Sequence, residues 1–245
     1  MPLAFAAVAT LGAILAIASW TAMRAGGAQP GLARRLAGPR EVGVGDLVDA
    51  TDLPSRPVRV AGRVRCRDPL VTADDERLIA FHRDVEVMAG GRWRSVERMR
   101  ETRSFELWDH DGSITVDPAR AADPLITIPK VWRGEPGILE EPHASAAARL
   151  ADRHGPATAA RSVVRTLDVT DRLLVVARPV RGQDGRVRLE PPSGGYVISN
   201  LALDDAMRLL GGRRRQLAAL GVIGIATGLA MVVVGLVGAV VAATV

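Results

Sequence analysis

Residues 217–245 contain no ionisable side chain, and neither do residues 2–23. About 20 apolar residues, rising roughly 1.5 Å each, cross the ~30 Å hydrocarbon core of a bilayer. Both runs pass that length test, so the sequence predicts a transmembrane helix over residues 1–23 and a basic flank plus a second helix over residues 213–245. The second run exceeds the requirement and must tilt or protrude. The first offers small residues for a cleavage site at Ala18, Ser19 and Ala22 but lacks the Lys or Arg that opens a signal peptide, so it reads as an uncleaved anchor.

Arg24, Arg34, Arg35 and Arg40 follow the first run, and Arg208, Arg213, Arg214 and Arg215 precede the second. Lys and Arg close to a span stay on the cytoplasmic side. Both clusters belong to the intervening loop, so the expectation is a multi-pass cell-membrane protein with a cytoplasmic central domain and both termini outside. These arginines also suit a bilayer partner, since each attracts anionic headgroups by about 1 kcal/mol near the surface. Gly224 and Gly228 form a GxxxG pair, a spacing that lets helix backbones approach, either between the two runs or between copies in a homo-oligomer.

Between the runs the pattern changes. Residues 24–52 read as a basic juxtamembrane linker, with a helical turn or two after Glu41, and residues 53–212 as a β-rich domain. In VRVAGRVRC, Val58, Val60, Val64 and Cys66 alternate with Arg59, Arg63 and Arg65, the period of a half-buried strand, and Gly62 marks a bulge or a close backbone approach. Gly90-Gly91, Asp111-Gly112 and Gln183-Asp184-Gly185 each separate two alternating runs and signal hairpins. YVIS supplies a last strand, LDDAMRLLGG a short helix closed by Gly211-Gly212, and the Ala-rich residues 140–161 a helix. The fold class expected is a membrane protein with two transmembrane α-helices flanking a mainly antiparallel β (α+β) soluble domain.

Three segments carry a family resemblance: VRVAGRVRCRDPL, then GRWRSVERMRETRSFELWDHDGSITVDP, then DGRVRLEPPSGGYVISNLALDDAMRLL before the second apolar run. Together they resemble the GIDE family of membrane-embedded ubiquitin ligases, over roughly residues 50–245. The resemblance implies a BAM (beside-a-membrane) domain between two spans and a RING domain after the second. A RING needs about eight Cys and His ligands in paired spacings to hold two zinc ions. This chain has Cys66 alone and four scattered histidines, His82, His110, His143 and His154, and its sequence stops at Val245. The expectation is therefore a RING-less relative, not catalytic by itself, serving as a sensing or protein-interaction module. The alternatives are an E3 ubiquitin transferase function completed by a separate RING partner, and a membrane effector that oligomerises on sensing a signal. The Arg- and Ala-rich, Lys-poor composition suggests a bacterial source.

The remaining chemistry is sparse. Cys66 ends an apolar strand face and reads as a structural thiol. Asp109-His110-Asp111-Gly112 reads as a hairpin turn, Asp74-Asp75-Glu76 as an acidic loop, and Pro191 to Tyr196 as a rigid turn rather than a phosphate-binding loop. No catalytic residue, metal site or cofactor is expected. Arg59, Arg63 and Arg65 line one strand face and are the candidates for an anionic ligand, subject to neutralisation by acidic residues on neighbouring strands. Nucleic acid is disfavoured, because aromatics make up only 3% of the chain and base stacking needs them. Trp93 and Trp108 are expected in the β core, and Trp132, in the apparent loop PKVWRGEPG, at an interface with an unknown protein or ligand.

Overall fold

The computed structural model describes residues 2–25 and 30–244. The chain divides into two compact units, Met1–Arg34 with Met207–Val245, and Arg35–Ala206. In chain order the elements begin with helix α1 (Pro2–Ala25), helix α2 (Pro30–Ala37), strand β1 (Glu41–Val42), helix α3 (Val44–Asp49), β2 (Val58–Arg65) and β3 (Leu70–Val71). Then come β4 (Arg77–Ala89), β5 (Arg92–Thr102), β6 (Phe105–Asp109), β7 (Gly112–Val116) and β8 (Lys130–Gly134). Helix α4 (His143–His154), β9 (Ala157–Asp168), β10 (Arg172–Arg181), β11 (Val187–Glu190), β12 (Val197–Ser199) and helix α5 (Leu203–Thr244) complete the chain.

The Arg35–Ala206 unit is a β body of two sheets. One runs in the order β11-β10-β2-β6-β7, with β1 beside β2 and β12 beside β10. Its end strands β7 and β11 approach each other, so the sheet nearly closes on itself. Alternation decides what fills it. Val58, Val60 and Val64 of β2 point inward with Phe105, Leu107, Ile114 and Val116 of β6 and β7. Leu173, Val175 and Ala177 of β10 and Val187 and Leu189 of β11 close the same core. Each buried aliphatic side chain contributes about 1.5–3 kcal/mol of burial. Gly62 continues the inward row, where a Cβ would lie 2.8 Å from Leu107 Cγ and 3.0 Å from the Trp108 carbonyl oxygen. That close approach is why glycine stands there.

The second sheet runs β3-β4-β9-β8, with β5 also on β4. Gly90 and Gly91 turn β4 into β5 with φ of +59° and +73°, the left-handed conformation that a two-residue hairpin demands. Helix α4 adds Ala147 to a small second core with Val87 and Ala160. Gly155 (φ +96°) ends α4, and the chain then enters β9, which continues past the stretch read from sequence as helical. The basic linker contains a helix, α2, in which Leu32 and Leu36 are buried.

Two expectations are corrected. Gly211-Gly212 does not close a short helix, because α5 runs through it to Thr244. A helical glycine costs only about 1 kcal/mol relative to Ala, too little to stop a helix that continues into a long apolar run. The fold class with two flanking transmembrane helices does not stand either. Among the described residues one helix is long and apolar enough to cross a membrane, Leu220–Gly238. The described apolar stretch of α1, Ala7–Thr21, is shorter. Only 17% of the Leu220–Gly238 window is buried, so this is not the core helix of a soluble body.

Within the helical unit, small residues let α1 and α5 touch. A Cβ on Gly228 would lie 2.6 Å from the Gly12 carbonyl oxygen and 2.8 Å from the Ala16 nitrogen, and one on Gly224 would overlap Ser19 Oγ. Leucine at either position preserves apolar character but removes the space for backbone approach. Gly228→Leu is expected to weaken the α1–α5 pair by about 1 kcal/mol. The readout is the melting of helicity in detergent, followed by circular dichroism. An unchanged melting curve would show that the contact contributes nothing.

Candidate functional site

The outward face of β2 holds the three candidate arginines, and their surroundings separate them. Arg59 is only 8% exposed. Its Nε and Nη2 donate to Glu41 Oε2 at 3.2 and 3.1 Å, and its Nη1 donates to the Leu36 carbonyl at 3.1 Å. Glu41 sits opposite Arg59 in the β1–β2 register. Arg59 therefore fastens β1 and the end of α2 to β2, and its hydrogen-bonding capacity is committed there. Arg65 lies over the Trp108 ring, 4.9 Å from its centroid, and 4.0 Å from Glu106 Oε2. Such stacking holds the cation and the indole in place together.

Arg63 differs. It is exposed and stands opposite Trp108 of β6 on one side and Arg172 of β10 on the other. Among the described residues neither Arg63 nor Arg172 forms an ion pair or a side-chain hydrogen bond. Because β2 pairs with β1 through Arg59 and Val60 and with β6 from Arg63 onward, Ala61 and Gly62 lie at a gap between the two neighbours. A cleft of about 350 Å³ opens there, lined by Arg63, Arg172, Trp108, Glu41, Asp109 and His110 among others. Its carboxylates are committed elsewhere. Glu41 holds Arg59, while Asp109 accepts the Val44 N–H through Oδ2 at 3.1 Å and the Asp111 N–H through Oδ1 at 3.0 Å.

Of the acidic residues on neighbouring segments expected to neutralise the stripe (Asp68, Asp74, Asp75, Glu86 and Glu97), three lie beside other arginines. Glu86 holds Arg161 at 2.6 Å, Glu97 holds Arg83 at 2.7 Å, and Asp68 lies 3.8 Å from Arg103. Trp93 and Trp108 are not core residues. Both are half-buried beneath guanidinium groups, Arg161 lying 4.2 Å from the Trp93 centroid. Trp132 is not on a loop but on β8, the end strand of the second sheet, where it is 44% exposed. Its ring covers Gly134, and it is not part of the cleft. Sequence reasoning missed Arg172 and Trp108 as partners of Arg63, because that grouping needs the pairing register of three strands. The side chains of Arg24 and of Arg213, Arg214 and Arg215 lie outside the described residues.

A second charged cluster lies across the other sheet. His82 of β4 stands opposite Arg100 of β5 and Arg165 of β9. Arg100 Nη2 bridges Asp84 Oδ1 at 2.7 Å and Asp123 Oδ2 at 2.9 Å, so the segment carrying Asp123 is tied to the sheet. His82 is 4% exposed, with Asp123 Oδ1 3.9 Å from its Nδ1. Burial above all, and then the charge of Arg100, push its pKa down to about 4, against the weaker pull of Asp123 and Asp84. Burial opposes the charge of Arg100 as well, but its hydrogen bonds to Asp123 and Asp84 prevail and raise its pKa.

The sign of the linkage is set by His82 remaining neutral when folded. Unfolded, it takes a proton as pH falls through its ordinary value of 6.5, whereas folded it does so only near 4. Stability is complete above pH 6.5 and is lost as pH falls from there to about 4. The loss is expected on the order of 2–3 kcal/mol in urea unfolding of the β body. His82→Gln, neutral throughout, should flatten the profile in that window. A variant with the parent's slope would mean that other groups set the acid response.

No protein-family model matches this chain, and no curated protein matches it.

Proposed function

We propose that this chain is a membrane-attached sensing or protein-interaction module of the BAM type, in which the β body recognises and the helix of Leu220–Gly238 anchors. The observation that carries the reading is the cleft on β2, where, among the described residues, Arg63 and Arg172 face solvent with no salt bridge of their own. A pair of like charges placed directly opposite across two strands destabilises a sheet. Such a feature suits a body that meets a charged partner. The largely exposed apolar helix supports the anchoring half, because that much apolar surface is stable only in lipid or against a partner.

The segments that carry the GIDE resemblance bear on the same body. VRVAGRVRC forms β2, the second segment runs through β5 to β7, and the third includes β11 and β12. All but β5 belong to the one nearly closed sheet that bears the cleft. The β body would lie on the cytoplasmic side, since Arg208, Arg213, Arg214 and Arg215 immediately precede the membrane helix.

Two measurements on cells test this reading. The full chain should remain with membranes through an alkaline carbonate wash, while a chain truncated before residue 213 should leave the β body in the supernatant. With Asp74→Cys, in an exposed turn, a membrane-impermeant maleimide should label the body only after lysis. Release of the full chain by carbonate would overturn the anchor, and labelling of intact cells would overturn the cytoplasmic placement.

A further inference from the structure

We propose that the cleft beside Ala61 and Gly62 binds a dianionic phosphate group, the terminus of a phosphate monoester or a diphosphate, between Arg63 and Arg172. The assignment rests on the sensing reading and supplies its ligand class.

Arg63 and Arg172 are paired residues of β2 and β10, and paired residues of antiparallel strands have Cβ atoms about 4.5–5.5 Å apart. Two cationic side chains rooted that close repel each other, and an anion between them relieves the repulsion. Neither carboxylate of the cleft bridges them: Glu41 holds Arg59, and Asp109 accepts the backbone N–H groups of Val44 and Asp111. On the same sheet Arg178 has Glu190 at 3.1 Å and Arg188 has Asp184 at 3.0 Å.

The walls favour an oxyanion of limited size. Guanidinium groups present paired N–H donors that match the oxygens of phosphate. The 350 Å³ volume lies within the range of small-molecule sites, roughly 300–1,000 Å³. Trp108, held by Arg65, forms one rigid side, and Ala61 leaves the floor low. Charge then selects the class. Two guanidinium groups attract the double charge of a phosphate monoester more strongly than the single charge of a phosphodiester. The internal phosphates of nucleic acid and the diester headgroups of common phospholipids are therefore poor occupants. A phosphorylated small molecule and a phosphomonoester lipid headgroup share the required chemistry.

The test uses the full chain in nanodiscs of zwitterionic lipid, in chloride buffer at constant ionic strength. Inorganic phosphate and pyrophosphate are titrated while tryptophan fluorescence and thermal unfolding are followed. A saturable response is expected, lost in Trp108→Phe fluorescence but retained in its thermal shift. Arg63→Gln and Arg172→Gln should each weaken binding at least tenfold. Arg178→Gln, which removes a positive charge from the same strand β10, should leave binding unchanged. In a second arm, nanodiscs containing phosphatidic acid or phosphatidylglycerol replace free phosphate. A response to phosphatidic acid alone identifies a lipid source, and a response to soluble phosphate alone identifies a free one. Absence of a saturable response in both arms overturns the site, as does binding undiminished by both arginine variants or equal response to the diester lipid. Membrane attachment with no phosphate response would remove this ligand class and leave the anchoring reading intact.

Discussion

The alternation of valine and arginine along β2 is the constraint on which the β body depends. One face of that strand enters a nearly closed sheet, so every second residue must be apolar or, at Gly62, absent as a side chain. The other face is thereby committed to Arg59, Arg63 and Arg65, and each needs an electrostatic solution. Arg59 finds it in Glu41 and the Leu36 carbonyl, and in doing so secures β1 and α2. Arg65 finds it on the Trp108 ring. Arg63 has Arg172 as its neighbour instead. The same period that builds the core thus also places Arg63 opposite Arg172, a like-charge pair that no salt bridge relieves among the described residues.

Much of this was legible in the sequence, and the limits are physical. Period two is a local property, so β2, the Gly90-Gly91 hairpin and the inward valines could be read directly. What a side chain meets across a sheet depends on register, which is set by distant residues. Glu41, Trp108 and Arg172 reach the β2 arginines from three different strands, and no spacing in the sequence encodes that meeting. Trp132 was misplaced for a related reason. Pro129, Gly134 and Pro136 bracket it and resemble a loop, yet an edge strand tolerates such residues because one side of it needs no ladder. Composition also outweighed geometry at Gly211-Gly212, where the apolar run beyond carries the helix on.

The helical unit follows different rules. Water drives the β body to bury its valines, but an apolar helix in lipid gains nothing from burial alone and relies on close packing. Gly12, Gly224 and Gly228 are placed for that purpose, and a Cβ on any of them would meet the opposing helix. The length of Leu220–Gly238 makes it the membrane-crossing candidate among the described residues, and α1 packs against that helix. Glycine therefore serves this chain in two ways, for strand approach at Gly62 and for helix approach at Gly228.

The central claim is that Arg63 and Arg172 oppose each other without compensation. A double-mutant cycle with Arg63→Gln and Arg172→Gln, measured by urea unfolding in phosphate-free chloride buffer, addresses it directly. The account predicts that each single substitution stabilises the β body and that the second adds little, with a repulsive coupling on the order of 0.5–1 kcal/mol. Destabilisation by either substitution, or a coupling of zero, would contradict it.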